Sequence, residues 1–175
     1  MQFSKSFILA ALATLAAANS ANFVNQDGTT RTVVFTPSEG FAQIDEITIA
    51  GNSQATVEFP SGWTGNAYSY NVGQANVPGI LAEFAFNGYA GINFFDISAI
   101  VNPQATDGII MMYPTQAKTP VSGCLTIACA NQYNQPDDIA TEASPEADFT
   151  VILGQRVQSA RRGISEVMER AHVQA

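Results

Sequence analysis

LAEFAFNGYAGINFFDISAIV, residues 81–101, decides the fold class. With Ile80 before it, the run alternates Ile80, Ala82, Phe84 and Phe86 against Leu81, Glu83 and Ala85. That two-residue period belongs to a strand with one face turned to a core. A Gly- and Asn-bearing turn at 87–91 follows, and INFFDISAI reads as a second strand. Antiparallel pairing of the two would set Glu83 beside Asp96. A carboxylate in such apolar, aromatic surroundings is costly unless it lines a solvated cleft or finds partners.

Outward from this hairpin the same grammar repeats. NFVNQDGTTRTVVFT places two apolar runs around Asp27-Gly28, and EITIAGNSQATVEFP places two around Gly51-Asn52. Each predicts a hairpin. NAYSYNV, GIIMMYP and DFTVILG add further short strands between Gly, Asn and Pro. No useful helical period occurs before residue 155. The expectation is an all-β sandwich or barrel over 22–154, in one domain.

Both ends differ from this body. Residues 1–18 carry Lys5, then FILAALATLAAA, then small residues, which predicts a secretory signal over 1–21 with cleavage between Ala18 and Ala21. The protein is therefore expected outside the cell or at a cell wall. The tail 155–175, with four arginines and two glutamates, spaces Val157, Ala160, Ile164, Val167, Met168 and Ala171 as one face of a short helix. It reads as a helix packed on the body, a propeptide released at Arg161-Arg162, or a membrane-surface helix.

Charge and rare residues exclude several functions. Thirteen of the fifteen acids lie in 22–154 against Arg31 and Lys118, a net charge of −11. Nucleic acid and anionic membranes are excluded as partners of such a body, because nothing neutralises phosphates. A polysaccharide or a cationic protein fits. The only histidine is His172, which removes Ser-His-Asp and Cys-His catalysis and most zinc sites. No metal or cofactor is expected. Cys124 and Cys129 are the only cysteines, and in an exported chain their spacing predicts a local disulfide.

The runs LAEF, FFDIS and CANQYNQPDD, closed by ADFTVILG, resemble in content and order the thaumatin-like family, as a small, cysteine-poor, fungal-type secreted relative. The resemblance implies a thaumatin-like β-sandwich with its disulfide-loop region reduced to 124–138. It also implies a cleft lined by one arginine, one glutamate and three aspartates that binds or weakly cleaves β-1,3-glucan. Glu83 and Asp96 fall on two of those positions. Asp107, in the retained Asp-Gly pair, or Asn102 falls on a third. Asn131 replaces the last aspartate, and no arginine lies between Arg31 and Arg156.

Glu83 and Asp96 are thus the candidate catalytic pair of a β-1,3-glucanase. Such pairs stand about 5–5.5 Å apart for retention or about 6.5–9.5 Å for inversion. The competing reading has both merely accepting hydrogen bonds from turns. Trp63, Tyr68 and Tyr70 in PSGWTGNAYSYNV are candidate sugar-stacking rings; alternatively, Trp63 is core. A wall-associated β-glucan-binding protein is expected ahead of an efficient enzyme. A wall structural protein, antigen or effector with a protein partner is the third possibility.

Overall fold

The computed structural model describes residues 17–125 and 130–155. Eleven strands run in chain order: β1 Ala17–Asn25, β2 Arg31–Pro37, β3 Ile47–Ile49, β4 Gln54–Pro60, β5 Thr64–Asn71, β6 Leu81–Ala85, β7 Asn93–Ser98, β8 Ile109–Pro114, β9 Ser122–Gly123, β10 Glu142–Ser144 and β11 Asp148–Leu153. They form two sheets, β4-β1-β11-β8-β9 and β10-β7-β6-β5-β2-β3. The molecule is all-β and a sandwich, as the alternation predicts. The expected tail helix and Cys129 lie outside the described residues.

Between the sheets lies an aromatic core. Phe23, Phe59 and Phe149 come from the five-stranded sheet, and Phe35, Phe84, Phe86 and Phe95 from the six-stranded one. Phe59 contacts Phe35, Phe84, Phe86 and Trp63 at ring-centroid separations of 5.0–5.8 Å, within the usual range for aromatic pairs. Trp63 sits at the start of β5 and is fully buried; its indole N–H donates to the Ala42 carbonyl at 2.9 Å.

The 81–101 hairpin folds as read. β6 and β7 pair antiparallel with Glu83 opposite Asp96. Its turn closes through a short 3-10 segment at Tyr89–Gly91, with Asn87, Ala90 and Gly91 at positive φ.

The other two expected hairpins do not form. β1 pairs with β4 and, in parallel, with β11, whereas β2 pairs with β3 and β5. Asp27-Gly28 and Gly51-Asn52 are therefore crossings from one sheet to the other. Turn chemistry reports a change of direction, not which strand receives the chain. The two crossings also hold each other: Asn52 N–H donates to Asp27 O at 2.7 Å and Asn25 N–H to Ser53 O at 2.9 Å.

β1 begins at Ala17, inside the segment expected to be removed. Asn19 is buried, and Ser20 Oγ donates to Asp148 Oδ1 at 2.6 Å. The sandwich thus includes residues ahead of the expected boundary at 22.

Candidate functional site

The register of the six-stranded sheet assembles a site on its outer face. Thr36 of β2 lies opposite Asn66 of β5, Asn66 opposite Glu83 of β6, and Glu83 opposite Asp96 of β7. The core-facing residues of β6 and β7 are Ala82, Phe84, Phe95 and Ile97, so Glu83 and Asp96 project away from the core. They line an open cleft of about 230 Å³, with Phe94 and Ala85 as apolar wall and Thr64, Asn66 and Thr141 as neutral polar lining. No cationic side chain is among the described residues that line it.

Asp96 is only 7% exposed although it faces outward. The segment after β9 accounts for this: Tyr133 bridges to Ser98 beside β7, and its hydroxyl meets Thr141 Oγ1 at 2.9 Å. Thr141 Oγ1 in turn donates to Asp96 Oδ2 at 3.3 Å. Asp96 Oδ1 receives no proton from an N–H or hydroxyl donor. Burial first, and then the neighbouring Glu83 carboxylate, push the Asp96 carboxyl up to about 7, against a smaller opposing contribution from Thr141. Asp96 thus keeps its proton well above the ordinary carboxylate range.

The remaining candidates disperse. Trp63 is sealed in the core and offers no stacking surface, which corrects the platform reading: a lone Trp at the start of a strand is drawn to the largest apolar volume available. Tyr68 is 9% exposed and donates its hydroxyl to Asn76 Oδ1 at 2.8 Å, and Tyr70 is half-buried beside a different depression. Neither lines the Glu83–Asp96 cleft. Asn102 caps a loop contact to Pro78 O.

Asp107 does not join the cleft either. It binds Arg31, which is 1% exposed. Arg31 Nη2 reaches Asp27 Oδ2 at 2.6 Å and Asp107 Oδ1 at 2.8 Å; Nη1 donates to Asn71 Oδ1 at 2.8 Å and Nε to Asn25 Oδ1 at 3.3 Å. Burial alone would raise the Asp107 carboxyl, but the Arg31 hydrogen bond, the Gly108 N–H, the Arg31 charge and Asn71 outweigh it and lower it. Burial likewise disfavours the Arg31 charge, and hydrogen bonds and charges from Asp107 and Asp27 more than offset that, leaving it raised. Arg31 and Asp107 thus clamp the two sheets together at one end. The signal was present in RTVVFT, where Arg31 shares the inward phase of Val33 and Phe35.

Sequence reasoning also passed over Asn66 and Thr141. Asn66 was legible from its phase with Tyr68 and Tyr70; Thr141 arrives through a long connection that no local pattern announces. Among the described residues no three His, Cys, Asp or Glu side chains converge as a metal site, and no helix is long and apolar enough to cross a membrane.

No family model matches the chain. Among solved structures, the crystal structure of the protein elicitor MoHrip2 from Magnaporthe oryzae is similar with a TM-score of 0.63, covering 78% of this chain and 99% of that one. At 17% identity that likeness concerns the fold alone. The antigenic protein SchS21 of Stachybotrys chartarum is 43% identical over 135 residues, 77% of this chain and 94% of that protein. These matches support a relationship to a fungal antigen and to the fold of a fungal elicitor, and neither carries the thaumatin-like name. The chain belongs to the family of the antigenic protein SchS21.

Proposed function

We propose that this protein works by recognition, as an extracellular antigen- or effector-type protein that engages a cationic protein partner through the outer face of its six-stranded sheet. The observation that carries this reading is the cleft itself: two adjacent carboxylates, one nearly buried, with no cation lining it among the described residues. The wider surface agrees. Of the two described cations Arg31 is buried in its ion pairs, while Glu39, Asp45, Glu46, Glu58, Asp137 and Asp148 are exposed. An antigenic relative and an elicitor of the same fold fit a protein whose task is to be bound.

The thaumatin-like resemblance instead implies β-1,3-glucan binding, with weak hydrolysis by Glu83 and Asp96 as its enzymatic form. The burial of Trp63 and the placement of Tyr68, Tyr70 and Asp107 away from the cleft weigh against both. One comparison separates the readings. Purified protein is tested for retention on immobilised poly-L-lysine at low and high salt, and on insoluble β-1,3-glucan, chitin and cellulose with assay of released sugar. We expect salt-reversible retention on poly-L-lysine above that of an unrelated β domain of equal net charge, and none on the polysaccharides. Selective retention on β-1,3-glucan, or release of reducing sugar, would overturn the proposal.

A further inference from the structure

We propose that the cleft between β5, β6 and β7 is a receptor for a primary ammonium group on an aliphatic stem, namely a lysine side chain of the partner protein. The inference rests on the cationic-partner reading and adds the position and the chemistry of the contact.

Three observations converge on it. Asp96 is 7% exposed, yet its Oδ1 receives no N–H or hydroxyl proton. A buried carboxylate oxygen left in that state carries a desolvation cost that a ligand donor would relieve. Glu83 stands directly opposite on β6, and both carboxylates line the same cleft. Asn66 follows in the same cross-strand row, and Thr141 Oγ1 lies against Asp96. Phe94 and Ala85 supply apolar wall at the same opening.

This combination selects among cations. An ammonium is a compact charge with three donors, which matches two carboxylates and a neutral oxygen in one cleft. A guanidinium is a planar fork that prefers one carboxylate taken bidentately. Calcium asks for six to eight oxygens, and the apolar wall spends part of the cleft's surface on carbon. That wall is useful to lysine, whose methylenes bury well while the charged end reaches its partners. Neither of the two cations among the described residues fills the site: Arg31 is held in its clamp and Lys118 does not line the cleft.

The test is a titration of the ¹⁵N-labelled protein, followed by NMR, at about pH 8, above the ordinary carboxylate range. The probes are Nα-acetyl-lysine N-methylamide and its arginine and norleucine counterparts. The lysine probe should shift the amides of Asn66, Glu83, Asp96 and Thr141, and the uncharged norleucine probe should not. Glu83→Gln and Asp96→Asn should each weaken the lysine probe by about tenfold, the scale of one charge-assisted hydrogen bond. A Glu58→Gln control, with the same loss of one charge elsewhere, should bind as the unaltered protein does. Equal binding of arginine and lysine, or shifts scattered over the acidic surface, would overturn the ammonium receptor. Tighter binding of spermidine or a glucosamine oligomer than of a lysine-containing peptide would overturn the protein source. Poly-L-lysine capture that survives Glu83→Gln and Asp96→Asn would sink the cleft assignment alone; no capture by the unaltered protein would sink the cationic-partner reading with it.

Discussion

Asp96 and Asp107 are both partly or largely buried aspartates, and their surroundings drive them in opposite directions. Asp96 is raised to about 7 by burial and by Glu83, so between about pH 4 and pH 7 the folded chain binds more protons there than the unfolded one. Its contribution to stability is fully present at low pH and is lost as pH rises through about 7. Asp96→Asn keeps the shape without the charge. In a metal-chelating buffer it should match the unaltered protein near pH 4 and exceed it by about 2–4 kcal/mol near pH 8, read by urea unfolding. An unchanged difference between the two pH values would show that the carboxyl pair is not a strained one. Asp107 is lowered, so its contribution is present above about pH 4 and is lost as pH falls through its folded value. Its partner is less forgiving. Arg31 satisfies four acceptors with one planar group, and Lys has neither the reach nor the donors to do so. We expect Arg31→Leu to cost about 3–5 kcal/mol by leaving buried acceptors unpaired, and Arg31→Lys to recover only part of it. Equilibrium unfolding measures both, and a loss below about 1 kcal/mol for Arg31→Leu would mean the clamp is dispensable.

At the level of the elements, the two sheet crossings show where local sequence stops being informative. Asp27-Gly28 and Gly51-Asn52 carry the residues of tight hairpin turns, and Asp27 does form a local turn, its Oδ1 accepting from Thr29 N–H at 2.8 Å. Yet the chain passes to the opposite sheet at both places. The β6–β7 hairpin was legible because alternation continued through one short turn with both faces specified. At the crossings, each flanking run could pair on either side, and the choice belonged to Phe23, Phe35 and Phe59 meeting in the core. The cleft was half legible for the same reason. Glu83 and Asp96 came from one hairpin, whereas Thr141 and the Arg31 clamp depend on contacts between distant segments. The crossings also touch each other: a Cβ on Gly51 would fall inside van der Waals contact of the Gly28 backbone. Gly51→Ala should therefore cost about 1–3 kcal/mol, although alanine is the milder residue in most strand-flanking positions. Gly40 offers the comparison, since nothing lies near its Cβ direction and only its positive φ resists substitution. If thermal unfolding places Gly51→Ala within about half a kcal/mol of the unaltered protein, the two crossings are not in contact in solution.

Across the whole molecule, one parallel pairing closes the fold. β1 lies between β4 and β11, and its register with β11 runs from Ser20↔Asp148 to Asn25↔Leu153. The first and last described strands therefore occupy the middle of one sheet. Ala21 and Phe23 of β1 and Phe149, Val151 and Leu153 of β11 are all core residues. Removing either strand would strip the five-stranded sheet of its centre and expose core rings such as Phe35 of the facing sheet. This constrains any processing of the chain. A cut after Ala18 keeps Asn19, Ser20 and the hydrogen bond to Asp148, while a cut after Ala21 removes all three and a core side chain with them. Of the cleavage positions the sequence allows, the first is the one the sandwich tolerates best. Three chains ending at residue 155 test the argument: one starting at Asn19, one at Asn22 and one at Gln26. The first should unfold in a single cooperative step with the near-ultraviolet signal of buried Trp63 intact. The second should unfold at lower urea, by about 1–2 kcal/mol, for the loss of the paired end of β1. The third, lacking β1, should show no cooperative transition, because β4 and β11 would face a gap that no other strand can fill. A cooperative, Trp63-protected fold for the chain starting at Gln26 would remove the parallel closure from its central place and make the six-stranded sheet, with the cleft it carries, an independently stable unit.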